Sequence, residues 1–124
     1  MKALHTKSAP AAIGPYSQAI EVNGFVFASG QIPIDPATGE FVEGGIKEQT
    51  RQALTNAAHI MAEAGIDLSH VVKTTVFLAD MADIAPMNEV NTTFFKEPFP
   101  ARSAVAVKAL PKGALVEVEC VAVK

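Results

Sequence analysis

Tryptophan is absent from this sequence of 124 residues, and tyrosine (Tyr16) and cysteine (Cys120) occur once each. A single thiol cannot close an internal disulfide. The default setting is therefore reducing and cytoplasmic, with the thiol as a small buried apolar group. Basic runs are missing too. Ten Lys and Arg stand against 13 Asp and Glu, a formal charge of −3, which offers little electrostatic drive toward nucleic acid or an anionic membrane. No apolar stretch is long enough to cross a bilayer, and the opening MKALHTKSAP lacks the apolar core of a signal peptide. His5, His59 and His70 are scattered without metal-ligand spacing. Neither a metal nor another cofactor is expected.

What the chain does have is small apolar residues. AVILMFWYC make up 49% of it, much of that Ala, Val and Ile. A chain this short is one domain, residues 1–124, with a large surface for its volume. That combination argues for burial against copies of itself.

Lys2 to His5 reads as an edge strand and Ala9 to Pro15 as a loop. Ser17 to Val22 alternates into Asn23-Gly24, a strong hairpin signal, with Phe25 to Ser29 as the return strand. Gln31 to Gly39 is a loop with its own Pro/Gly turn. From Ile46 to Ala64, residues Ile46, Ala53, Leu54, Ala57, Ile60, Met61 and Ala64 form a helical stripe. Gln52, Thr55, Asn56, His59 and Glu63 are assigned to the opposite side, and Gly65 is the stop. Val71 to Leu78 is a strand ending near Asp80, and Ile84 to Phe95 a second helix capped by Asp83. The order βββαβαββ predicts an α+β fold with two helices on one face of a mixed five- or six-stranded sheet. The other face, expected to carry Leu115, Val121, Val123, Ala104 and Ala106, needs a cover, and a cyclic homo-oligomer supplies one.

Phe99 to Cys120 holds the most informative charges. Two strand-like runs, Ala101 to Ala109 and Ala114 to Val123, flank Leu110-Pro111-Lys112-Gly113, which predicts a β-hairpin. Alternation puts Val105, Val107, Val116, Val118 and Cys120 on the core side and Arg102, Glu117 and Glu119 on the other. Charges there are costly unless paired or used. Two readings stay open: an Arg–Glu ion pair at a subunit contact, or an anion clamp in which Arg102 grips a carboxylate bidentately with a Glu nearby for water. The hairpin register sets Glu117 opposite Ala106, roughly 13 Å along the strand from Arg102 at ~3.3 Å per residue. Joining them takes long side chains or a second subunit.

Several motifs together resemble the RidA (YjgF) family of enamine/imine deaminases. They are Ala11 to Ala19 (AAIGPYSQA), Ser29 to Pro33 (SGQIP), Lys73 to Phe77 (KTTVF), Pro100 to Ser103 (PARS), and LPKG at Leu110 to Gly113 followed by Val118-Glu119. The resemblance runs essentially end to end. It implies a chorismate-mutase-like fold and a homotrimer with a barrel-like centre and ligand clefts between subunits. It further implies Arg102 as the carboxylate-binding residue and Glu117 as the acidic residue that positions water. Tyr16, Ser29, Gly30 and Asn88 match pocket-lining positions. Ala104 stands where many members carry Cys, and Asn91 where an aromatic is common.

Enamines released by pyridoxal-phosphate dehydratases tautomerise to 2-imino acids that water hydrolyses slowly. Arg102 would hold the carboxylate, Glu117 would orient and deprotonate water, and Tyr16 or Ser29 would relay a proton. Backbone N–H groups near Gly30 and Ala104 are candidates for a carboxylate oxygen. A thousandfold acceleration needs only ~4 kcal/mol. The expected ligand is thus a small 2-imino or 2-keto acid. The alternatives are a carboxylate-binding or regulatory trimer without turnover and, less favoured by the charge balance, a ribonuclease. Glu119 is expected in a structural ion pair with Lys or Arg.

Overall fold

The computed structural model describes residues 1–124. Strands β2 (Ala19–Val22) and β3 (Phe25–Gln31) form the expected hairpin. Its turn residues Asn23 and Gly24 have φ of 51° and 80°, the positive values a two-residue hairpin turn requires. Strand β1 (Lys2–Leu4) pairs antiparallel with β2. Within the segment read as a loop, β4 (Ile34–Asp35) and β5 (Glu40–Phe41) pair as a two-stranded ribbon.

Helix α1 (Ile46–Glu63) buries Ala53, Leu54, Ala57, Ile60 and Met61 as the stripe predicts. Asn56 departs from expectation. It sits at the border of the stripe and is fully buried. Its Nδ2 donates to the carbonyls of Ile32 (3.1 Å) and Ile34 (2.9 Å), and its Oδ1 accepts from Gln52 Nε2 at 2.8 Å. The helix uses this amide to hold β4, so the burial is hydrogen-bonded throughout.

Strand β6 (Val71–Leu78) leads through a short 3-10 turn at Met81–Asp83 into helix α2 (Ile84–Phe94). Asp83 itself has helical backbone angles and makes no capping bond. Asp80 does that work, its Oδ1 accepting from Ala82 N–H at 2.9 Å. Beyond α2 come β7 (Ala101–Ala106) and β8 (Val116–Val123).

The predicted β7–β8 hairpin does not form. The six-stranded sheet runs β1-β2-β3-β8-β6-β7, with β7 parallel to β6 at the edge and β8 between β3 and β6. Composition explains the exchange. Strand β8 has apolar residues on both faces, with Val116, Val118, Cys120 and Ala122 buried, and so suits the sheet centre. Strand β7 is rich in small residues and mostly exposed. Helix α2 is the crossover that a parallel β6–β7 pair needs.

The new pairing keeps the expected faces of β8, with Val116, Val118 and Cys120 in the core, and inverts those of β7. Thr74 lies between Arg102 and Cys120, and Val76 between Ala104 and Val118. In-register neighbours share a face, so Arg102, Ala104 and Ala106 belong to the helix-covered side. Phe77 lies between Val105 and Glu117, and Thr75 between Ser103 and Glu119. Val105 is therefore on the uncovered side, 44% exposed, rather than in the core. That side also shows Phe25, Phe27 and Val123, with the two phenylalanine rings stacked at 6.0 Å. It is an apolar sheet face with nothing from this chain over it. Glu119 finds no ion pair there; the two in the chain are Lys47–Glu89 and Lys124–Glu21.

No helix is long and apolar enough to cross a membrane.

Candidate functional site

The expected site residues divide between two cavities. The first, of about 520 Å³, is lined by Tyr16, Gly30, Glu117, Gln31 and Lys112 among others. Its wall depends on Gln18, a buried residue at the start of the hairpin. Gln18 Oε1 accepts from Thr6 N–H at 2.7 Å, while Nε2 donates to the Thr6 and Pro10 carbonyls at 3.0 and 2.8 Å. One amide thus pins the segment that carries Tyr16 across the end of β3.

Glu117 reaches the same cavity because the β3–β8 register shifts between Ala28 and Gln31. The irregularity leaves Gly30 against the Glu117 side chain. A Cβ on Gly30 would lie 2.8 Å from Glu117 Cδ, closer than carbon atoms pack, so only glycine leaves room for the carboxylate. Burial, reinforced by the negative charge of Glu119, raises the Glu117 pKa above the ordinary carboxylate range. A carboxylate held there is a stronger base than a solvated one.

Ser29 is not in the cavity wall. Its hydroxyl donates to the Ser17 carbonyl at 2.6 Å, and its proton is committed to closing the open end of the β2–β3 hairpin. Of Tyr16 and Ser29, the two residues considered for proton relay, only Tyr16 lines the cavity, where it is half-exposed.

The second cavity, of about 450 Å³, lies between α2 and the start of β7 and includes Arg102, Asn88, Asn91, Thr92 and Thr74. Arg102 Nη1 donates to Asn88 Oδ1 at 2.6 Å. No carboxylate of the chain pairs with Arg102, so its remaining donors are available to a planar anion. Ala104, two residues along β7, lines neither cavity; it packs half-buried against the core.

Arg102 and Glu117 therefore do not meet in one protomer. They project from opposite faces, two strands and three register positions apart, or ~14 Å in the plane of the sheet. One cavity can hold a carboxylate and the other can position water. Sequence reasoning missed Lys112, Asn91 and Thr92 as lining residues. For the latter two the signal was available, since they follow Asn88 at i+3 and i+4 on α2.

No group of three or more His, Cys, Asp and Glu side chains converges to hold a metal. His59 Nδ1 lies 2.7 Å from the Ser8 carbonyl and His70 Nδ1 2.9 Å from that of Val123. Both are structural contacts.

Residues 6–124 match the family described as Endoribonuclease L-PSP. A RutC family protein of Pyrococcus abyssi is 54% identical over 121 residues, covering 98% of this chain and 95% of that protein. The 2-iminobutanoate/2-iminopropanoate deaminase of mouse is 50% identical over 123 residues, covering 99% of this chain and 91% of that protein. Among solved structures, RidA from a Psychrobacter species superimposes with a TM-score of 0.96 at 45% identity over the full length of both chains. With the sheet order, the Gly30–Glu117 contact and the Arg102–Asn88 pair in place, these matches establish that the chain belongs to the RidA (YjgF) family.

Proposed function

We propose that this protein is a 2-iminobutanoate/2-iminopropanoate deaminase, working as a cyclic homotrimer in which each site joins the Glu117 cavity of one protomer to the Arg102 cavity of the next. The observation that carries the reading is the separation of Arg102 from Glu117 onto opposite sheet faces. Two half-sites are useful together only if a copy brings the missing half. The uncovered apolar face offers the surface for that association. The 50% identity to a named deaminase over 99% of the chain supports the reaction.

The steps then follow from the groups present. Arg102, steadied by Asn88, grips the 2-imino acid carboxylate and fixes the C2 carbon. Glu117, its basicity raised by burial, takes a proton from water as the oxygen bonds to C2. The C=N bond becomes a C–N single bond, and nitrogen receives a proton from Tyr16 or from protonated Glu117. The hydroxyl proton of the tetrahedral intermediate then passes through Glu117 to nitrogen as C–O becomes C=O and the C–N bond breaks, giving the 2-keto acid and ammonia. Water is the only co-reactant, and no covalent enzyme intermediate is needed.

The endoribonuclease description of the matched family is not favoured as an activity here. Net charge is −3 and the Glu117 cavity has a single lysine, Lys112, whereas an RNA-binding groove requires a basic track and stacking aromatics.

The test is release of keto acid and ammonia from 2-iminobutanoate generated in situ by a threonine dehydratase. Native protein is expected to accelerate release over a protein-free control, and Arg102→Ala to abolish the acceleration while light scattering shows the assembly intact. Native protein no faster than the control would refute deamination of this substrate.

A further inference from the structure

Two residues other than glycine have positive φ, Asn23 at 51° and Lys112 at 55°. Asn23 belongs to a hairpin turn and to a residue type that tolerates the left-handed region. Lysine is not such a type; its Cβ crowds the backbone there, and glycine would adopt the same angles without that cost. The turn does not depend on the lysine side chain. It is closed by backbone alone, with Gly113 N–H donating to the Leu110 carbonyl at 3.2 Å and Ala114 N–H to that of Pro111 at 3.1 Å. Nor is the ammonium used in an ion pair, since the lysines that pair are Lys47 and Lys124. A strained backbone that no contact of its own side chain repays points to a use elsewhere.

Lys112 is exposed, and it is the one cation in the wall of the Glu117 cavity. The charges it shares that region with are negative: Glu117, and Glu119 two residues farther along the same face of β8. Burial and the Glu119 charge raise the Glu117 pKa with no cation opposing them, so the ammonium is not engaged in neutralising Glu117. A 2-imino acid brings a carboxylate of its own past both glutamates on its way to the Arg102 cavity of the next protomer, and they repel it. We propose that Lys112 is a substrate-capturing residue, whose ammonium offsets the two glutamates and draws the carboxylate of an incoming ligand to the site. The inference rests on the deaminase reading and adds a binding residue to it; the chemical step stays with Glu117 and Tyr16. Attraction of this kind acts on capture, so it is read in KM rather than kcat, and salt screens it.

The experiment pairs two readouts at ionic strengths of about 0.01 and 1 M, between which the screening length falls from about 30 to 3 Å. One is hydrolysis of 2-iminobutanoate generated in situ with the dehydratase in excess. The other is the calorimetric Kd of 2-oxobutanoate, the keto-acid product and an unreactive anion. At low salt Lys112→Met is expected to raise both KM and this Kd about fivefold, and Lys112→Glu more than tenfold, with kcat within about twofold of native. At high salt the differences should shrink below about twofold. Lys112→Arg should keep the native values, as should Lys2→Met, which removes the same charge from the exposed edge strand β1. Lys112→Gly loses the charge and the backbone strain together. It should raise the urea midpoint while weakening the ligand as Lys112→Met does, whereas a purely structural lysine would lower the midpoint. Effects equal at both salt concentrations, a fall in kcat with KM and Kd unchanged, or Lys112→Arg no better than Lys112→Met would overturn the role of Lys112 with deamination intact. A native protein that hydrolyses no 2-iminobutanoate would overturn the deaminase reading and this inference with it.

Discussion

Arg102 and Glu117 project from opposite faces of one sheet, with Phe77 of β6 in register with Glu117 and Thr74 with Arg102. A site that uses both must draw them from different copies of the chain. Co-expressing Arg102→Ala with Glu117→Gln tests this without a further structure. Each variant alone is expected to be inactive. If the two variants mix at random in the proposed trimer, roughly a quarter of the sites would pair an intact Arg102 with an intact Glu117 and recover activity. A mixture no more active than its components would mean that the two residues act from the same chain or not together.

Gly30 makes room for the Glu117 carboxylate, and a methyl group there should push it aside. Gly30→Ala is expected to cut kcat/KM at least tenfold and to destabilise by about 1–3 kcal/mol through overpacking. Adding Glu117→Ala should relieve most of the stability loss, because the colliding side chain is gone. Urea denaturation of the two single variants and the double variant measures it. Additive losses would place the strain elsewhere.

The raised Glu117 pKa fixes a sign in pH experiments. In the proposed mechanism Glu117 must be ionised to act as the base, so activity should fall with decreasing pH at a point above the ordinary carboxylate range. Glu119→Gln removes the neighbouring charge that assists the shift and should move this acid limb to lower pH. Stability runs the other way. Folding disfavours the charged form, so Glu117 costs stability above its folded pKa and nothing below its unfolded pKa. Glu117→Gln should therefore stabilise the fold at neutral pH, with the gain vanishing in acid. A gain that persists unchanged in acid would assign it to something other than charge.

Asn56→Leu should lower stability by about 2 kcal/mol, since the Ile32 and Ile34 carbonyls lose their buried donor. Those residues also line the Glu117 cavity, so an increase in KM is expected alongside. A urea midpoint unchanged from wild type would show that the ribbon is held without the helix.

What the sequence revealed were the features decided locally. Asn23-Gly24 specifies its own turn, the α1 stripe specifies its own helix, and Gly65 with φ of 78° ends it. Cys120 reads as a small core residue, and burial pushes its thiol pKa up to about 12, which leaves it unreactive. The strand neighbours were not legible in the same way. Alternation within Ala101–Ala106 is equally compatible with either face, and only the choice of partner strand decides which side Arg102 takes. The Pro111–Gly113 turn suggested β8 as that partner because a short connection favours adjacency. The greater apolar demand of β8 won the central slot. Asn56 was misplaced for a related reason: a polar residue on a helix can be buried when distant carbonyls need a donor.

The central position of β8 also has a consequence for how the chain comes off a ribosome. Strands β3 and β6 have no partner on one side until residues 116–123 slide between them. Synthesis supplies those residues after every other strand of the sheet. The nascent protein therefore reaches the end of its translation as two incomplete half-sheets, each with an unpaired strand edge. Its closing step joins segments far apart in sequence, the kind of contact that forms slowly. A chaperone that shields unpaired strand edges would find its need greatest during that interval, and least once Val118 is seated against Val76 and Gln31.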